Sequence, residues 1–271
     1  MTQQAHVAVA VSGKRDLKGD DNIVRRALVR AFDVLDAELP RAAKVLLTGL
    51  AVGADTLAVE QALGRPRWTI AAVLPLPRGL YRDDFPDPPG PGSPRKRLDA
   101  LLAHPQVTVR EMAPLTDPAT HAPAAAAGLR QPSQGSNELR DRHYEQQGLW
   151  LADNAALLIA VKPAAELPNL VGGTARIVAY RLGDELDAAA RDVIATSQEL
   201  QAPATSGRRG GPVWLIDAPR AAGNSRRRDH PFEILLPPGE GVGQRGFDER
   251  LAASLEPARH LAGNAQQVAD G

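Results

Sequence analysis

There is no cysteine anywhere in the 271 residues, which excludes disulfides, thiolate catalysis and cysteine-ligated zinc or iron–sulfur centres in one step. Aromatic residues make up only 4% of the chain, too few for a surface on which successive unpaired bases could stack. Neither sign of charge is in excess. The 32 Lys and Arg balance 32 Asp and Glu, so no net field draws nucleic acid or a membrane surface from a distance, and any anion site must be local. No stretch approaches the roughly 20 apolar residues of a membrane span. The opening MTQQAHVAVAVSG lacks both a charged n-region and a long apolar run, so it is read as a first strand and not as a signal peptide; a cytoplasmic protein is expected. The six histidines are scattered without metal-ligand spacing, and no metal site is expected. A Walker loop and a G-x-S-x-G nucleophile elbow are also missing.

What is present is enough apolar residue, 43%, for a sizeable core, arranged in a repeating order. His6 to Ser12 is a β-branched and alanine run ending at Gly13, the pattern of a strand buried on both faces. Val24, Leu28, Phe32, Leu35 and Leu39 then recur at helical spacing after Asp20 and Asp21, and Pro40 ends the helix. Val45 to Thr48 predicts a second strand, with a helix over Ala54 to Leu63. Trp68 to Leu74 predicts a third, and a helix from Pro94 to Ala103 follows, capped by Ser93. Val107 to Met112, Ala155 to Val161, Val213 to Ile216 and Phe232 to Leu236 read as further strands, the last an antiparallel edge. A helix is expected from about Leu139 to Asp153 and another opening at Thr174.

Strands alternating with helices predict an α/β fold: a single domain with a mostly parallel, doubly wound sheet of about six to seven strands and helices on both faces. The domain is expected over residues 1–236, with an insertion around 184–211. Residues 237–271 then form a C-terminal extension, read as a short helix and a disordered tail after His260. The Pro- and Gly-rich segments 86–94, 113–132 and 202–211 are expected to be mobile loops.

In such a sheet the ligand crevice lies at the carboxyl ends of the strands. That rule selects Ser12, Gly13 and Arg15 after the first strand, Thr48, Gly49, Gly53 and Asp55 after the second, and the loop from Pro75 to Pro94 after the third. It also selects Gly172, Gly173 and Thr174 ahead of a later helix. Glycines let backbone amides approach an anion and a helix N-terminus favours it; the same residues also make a tight turn that needs no ligand. Arg15 could clamp a phosphate or lie solvated at the surface. Asp55 could hold a ribose hydroxyl or simply cap its helix. Tyr81, Asp84 and Phe85 sit in the long loop, where an aromatic could stack on a base and the loop could close as a lid, or Phe85 could pin it to the core. Tyr144 is read as core. The string Gly241, Gly243, Gly246 matches G-x-G-x-x-G but has no strand after it, so it is set aside. Arg226, Arg227 and Arg228 are read as a solvated turn.

The succession VAVSGKRDL, LLTGLAVGADTLAVEQAL, AAVLPLPRGLYRDDF, LLIAVKP and GGTARIVAYRLG, over roughly residues 5 to 218, resembles the SLOG branch of the Rossmann-like superfamily. That superfamily also holds the LOG phosphoribohydrolases and the DNA-processing protein DprA. The resemblance implies binding or sensing of a nucleotide or of a ligand derived from NAD or ADP-ribose, such as ADP-ribose, NAD or AMP, often in bacterial defence. It implies contacts at Ser12, Gly13, Arg15, Thr48, Gly49, Gly53, Asp55, Pro75, Gly172, Gly173 and Thr174, and a homodimer or an effector partner. LOG hydrolases carry a glutamate after the glycine–threonine pair that assists glycosidic cleavage. Here Arg176 and Ile177 stand in its place, and neither is a carboxylate. Sensing is therefore expected ahead of the alternative, a nucleoside-monophosphate phosphoribohydrolase or other N-glycosidase with Asp55 or Asp84 as carboxylate. Arg176 could add to an anion site. DprA-like binding of single-stranded DNA is a second alternative, against which the neutral charge and scarce aromatics argue.

Overall fold

The structure is a computed structural model and describes residues 6–17, 19–88, 92–117, 119–130, 137–197, 210–218, 230–238 and 246–269. In chain order the elements are β1 (His6–Gly13), α1 (Asp21–Glu38), β2 (Ala43–Thr48), α2 (Ala54–Ala62), β3 (Trp68–Leu74), α3 (Arg78–Arg82), α4 (Pro94–Leu102) and β4 (Val107–Glu111). There follow β5 (Thr116–Asp117), β6 (Ala122–Pro123), α5 (Glu138–Asn154), β7 (Leu157–Lys162), α6 (Thr174–Leu182), α7 (Ala188–Ser197), β8 (Val213–Asp217), β9 (Glu233–Leu235) and α8 (Phe247–Ala269). Seven strands form one sheet in the order β4-β3-β2-β1-β7-β8-β9, and β5 and β6 pair as a separate two-residue hairpin. Every pairing in the large sheet is parallel except β8 with β9. The fold is thus a Rossmann-like α/β domain.

Side chains alternate across the sheet because successive Cβ atoms point to opposite faces. Val7, Val9 and Val11 of β1 and Leu157, Ile159 and Val161 of β7 join the larger core under α1, α2, α4 and α8. Their neighbours Ala8, Ala10 and Ala160 face α5, α6 and α7. Small residues on that face let α5 approach closely. The chain winds outward from β1 to β4 and then returns to place β7 on the other side of β1. That reversal puts a crevice between β1 and β7 at their carboxyl ends, where loops leave in opposite directions.

The local signals behave as their chemistry requires. Ser93 accepts the Lys96 amide at 3.3 Å and caps α4, whose first residue is Pro94. Asp20 precedes α1 without a side-chain cap bond. Four features depart from the expectations. The long loop after β3 contains the helical turn α3; β5 and β6 pair inside the Pro- and Ala-rich stretch; and α7 fills part of the insertion against α5. The fourth is α8, which runs to Ala269 instead of ending near His260. Leu255 and Ala258 are buried in the larger core, and Ser254 accepts a hydrogen bond from Trp214 Nε1 at 2.9 Å, so tertiary burial stabilises a helix that polar composition alone would not. The runs at Gly241 and Gly243, at Arg226–Arg228 and over most of 202–211 lie outside the described residues. Among the described residues no helix is long and apolar enough to cross a membrane.

Candidate functional site

At the β1–β7 crevice an open cavity leaves about 80 Å³ for the centres of water-sized groups. Its walls come from four places: Ser12 and Gly13 at the end of β1 with Arg15 after it; Gly49 and Ala51 after β2 with Asp55 in the first turn of α2; Tyr81 from α3 with Tyr144 and Gln147 from α5; and Gly172 and Thr174 at the start of α6. Chain segments up to about 160 residues apart therefore meet here. The Ser12 and Thr174 hydroxyls lie 3.3 Å apart and tie the two sides of the crevice together.

The two helix N-termini at the cavity are not equivalent. At α2 the polar groups are consumed by the protein itself: the Ala54 amide donates to the Lys14 carbonyl at 3.1 Å and the Thr56 amide to Ala51 at 3.2 Å. Asp55, buried, gathers the rest, its Oδ2 accepting from Thr48 Oγ1 at 3.2 Å and from the amides of Gly49 at 3.1 Å and Ala51 at 3.4 Å. The Gly49 carbonyl accepts the Tyr81 hydroxyl at 2.7 Å. Gly53, at φ 89°, lets the carbonyls of Lys14 and Arg15 press against the turn where a Cβ would meet both closer than 3.0 Å. The close approach that Gly53 permits is therefore that of the β1 loop. The turn after β2 is scaffold, and it orients Arg15.

The α6 side is the one that faces the cavity with donors. Gly172, at φ 71°, is pressed against α5, where a Cβ would sit 3.0 Å from both the Asp141 carbonyl and the Tyr144 Cβ. That contact aims the first turn of α6, with Thr174 at its head, at Ser12. Arg15 is exposed, with its guanidinium 4.6 Å above the Tyr144 ring. A cation, two hydroxyls and a helix N-terminus make this end favourable to an anion.

No protein-family model and no curated protein matches the chain.

The remaining expected residues fall around the cavity and not in it. Thr48 and Pro75 are buried behind it, and Gly173 stands against Leu170. Asp84 does not line it either: it is bound by Arg140 and by the Tyr144 hydroxyl. With Tyr81 and Phe85 both buried, these contacts fix the segment from α3 to Phe85 as a wall of the site, not as an open lid. Arg176 pairs with Glu145 and, at 2.7 Å, with Asp187. It is directed at α5 and does not line the cavity. Ile177 is buried with its side chain packed over Gly148, so the position after the glycine–threonine pair is core.

Tyr144, expected as core, packs partly against the core and also lines the cavity, as does Gln147, which was not expected there. A signal existed: Arg140, Tyr144 and Gln147 recur at helical spacing on α5 and put polar groups on one face. Arg140 binds Asp84 and the Leu129 carbonyl, and the next turn carries His143. That imidazole accepts the Leu115 amide on Nε2 at 3.1 Å, with Nδ1 2.7 Å from the Leu139 carbonyl, so the neutral tautomer with a proton on Nδ1 satisfies both. Burial holds its pKa below the ordinary histidine value.

Burial pushes the Asp55 carboxyl up to about 6, against the opposing pull of its hydrogen bonds and of the Arg15 charge. Because the folded pKa is above the unfolded one, the folded state holds the extra proton between about 3.8 and 6 and Asp55 makes the fold less stable as pH rises through that window. Asp55→Asn is therefore expected to gain on the wild type by about 2 kcal/mol between pH 4.5 and 7 and to track it at higher pH. His143 titrates alike in both proteins and cancels in the difference. A stability difference, from urea unfolding, that stays constant over this range would show that Asp55 is not perturbed in this way.

Proposed function

We propose that the chain binds the phosphate of a nucleotide, or of a ligand derived from NAD or ADP-ribose, at the carboxyl edge of the sheet, as a cytoplasmic SLOG-type sensor. The observation that carries this reading is the convergence of Ser12, Thr174, Arg15 and the start of α6 on one cavity at the point where strand order reverses. A phosphate there gains hydroxyl donors and a guanidinium together. Charge-assisted bonds of that kind contribute about 1.5–3 kcal/mol each, so Thr174→Val and Arg15→Ala should each weaken binding of AMP or ADP-ribose by roughly 10–100-fold in calorimetric titration. Absence of binding by AMP, ADP-ribose and NAD to the wild type, or unchanged affinity in both variants, would overturn the assignment.

One observation favours a second reading, N-glycosidase action of LOG type. Asp55 is the only carboxyl among the cavity-lining residues, and its pKa of about 6 suits a group that exchanges a proton near neutrality. Asp84 is engaged by Arg140 and Tyr144 and is a poorer candidate. Release of free base from AMP, followed by chromatography and lost in Asp55→Asn, would establish hydrolysis; no release with tight binding leaves the sensor reading in place.

A further inference from the structure

The cavity is open on one side. A ligand seated by its phosphate beside Ser12 and Thr174 extends with its remaining groups over the rim, and the rim has one unusual feature.

Among the described residues only three large hydrophobic side chains are exposed: Ile23 at 43%, Leu167 at 68% and Leu170 at 66%. The two leucines lie on the loop between β7 and α6, the loop that delivers Gly172 and Thr174 to the cavity. Leu170 is fixed next to that edge. Its carbonyl accepts the Gly173 amide at 3.0 Å, and its side chain packs so close to Gly173 that a Cβ there would sit 3.2 Å from its own. The loop is tethered at its root as well. The Lys162 ammonium donates to the carbonyls of Pro163 at 2.9 Å, Ala164 at 3.3 Å and Glu166 at 3.2 Å, and the Ala164 amide donates to Asp217 at 2.8 Å. A tethered loop that holds leucines in water forgoes the burial that would stabilise them, and such a surface is suited to an apolar partner.

We propose that Leu170 forms an apolar shelf outside the cavity for the flat base of the ligand, dividing recognition between a phosphate seat within and a base seat on the β7–α6 loop. The inference rests on the phosphate reading of the cavity and adds a specificity-determining residue to it. Covering part of a leucine side chain corresponds to an affinity change of about tenfold at roughly 1.4 kcal/mol.

Calorimetric titration of the full chain with ribose 5-phosphate and AMP separates the two seats. Leu170→Ala, in a side chain two-thirds exposed, should leave the melting temperature unchanged, weaken AMP about tenfold and leave ribose 5-phosphate within twofold. Equal weakening of both probes, or of neither, overturns the shelf while leaving the phosphate seat standing. Failure of the wild type to bind either probe overturns both. If light scattering instead shows a dimer that Leu170→Asp dissociates, with AMP affinity unchanged, the leucines cover a second copy of the chain and the shelf is again overturned.

Discussion

Gly53→Val is expected to destabilise the domain by about 2–5 kcal/mol, lowering the melting temperature by roughly 10 °C. Two independent terms contribute. The backbone at Gly53 has φ 89° and ψ −121°, and an L side chain at positive φ costs about 1–2 kcal/mol. The added Cβ would also meet the carbonyl oxygens of Lys14 and Arg15 inside 3.0 Å. Those are backbone atoms, so relief requires moving the end of β1, at an overpacking cost of about 1–3 kcal/mol. Gly64 is the control, with φ 81° and nothing within 4 Å of its would-be Cβ. Gly64→Val carries the backbone term alone. Chemical unfolding that places the two variants within 1 kcal/mol of one another would show that the β1 loop yields easily and that Gly53 does not set its position.

That contrast marks where sequence reading works and where it stops. The parallel strands other than the edge strand β4 were legible because each is a short, mostly apolar run bounded by turn residues, and their burial is a property of the run itself. The edge at which the cavity lies followed from the alternation of strands and helices. Arg15, Gly172 and Thr174 do meet Ser12 at that edge. What the sequence could not convey is direction. A glycine that lets backbone approach a ligand and one that lets backbone approach another loop read alike, and Gly53 is the second kind. Asp55 turns its Oδ2 inward to three donors of its own loop, and nothing in its spacing distinguishes that from a carboxylate turned outward. Length of α8 was illegible for a different reason. Its helix is held by burial of Leu255 and Ala258 against strands far away in the chain, and no local pattern records that.

Helix α5 accounts for the engagement of Asp84 and Arg176, two of the expected side chains that do not line the cavity. It holds Asp84 through Arg140 and Tyr144, the Leu115 amide through His143, and Arg176 through Glu145. Loops that looked free to meet a ligand are instead tied to this one helix. The cavity is consequently built in advance, with a wall that does not need to close.

The strongest of these ties should give the other large effect. Glu145 has no exposed side-chain surface and pairs with Arg142 at 2.6 Å and with Arg176, each of which retains 17% exposure. Asp187 completes the cluster at 2.7 Å from Arg176. Removing one member of a buried ion pair leaves its partners desolvated, so Glu145→Ala should cost about 3 kcal/mol or more. Replacing the buried glutamate together with both arginines is a different matter, because the desolvation is removed along with the attraction, and Asp187 is left half-exposed to water. Glu145→Met combined with Arg142→Met and Arg176→Met should recover most of the loss, read as the urea midpoint. The triple variant also decides the role of Arg176. As a residue that only positions α6, its loss within a repacked cluster should leave AMP affinity within about threefold of the wild type. A collapse of affinity in a variant with a wild-type midpoint would instead make Arg176 part of the anion site, as its place after Thr174 first suggested.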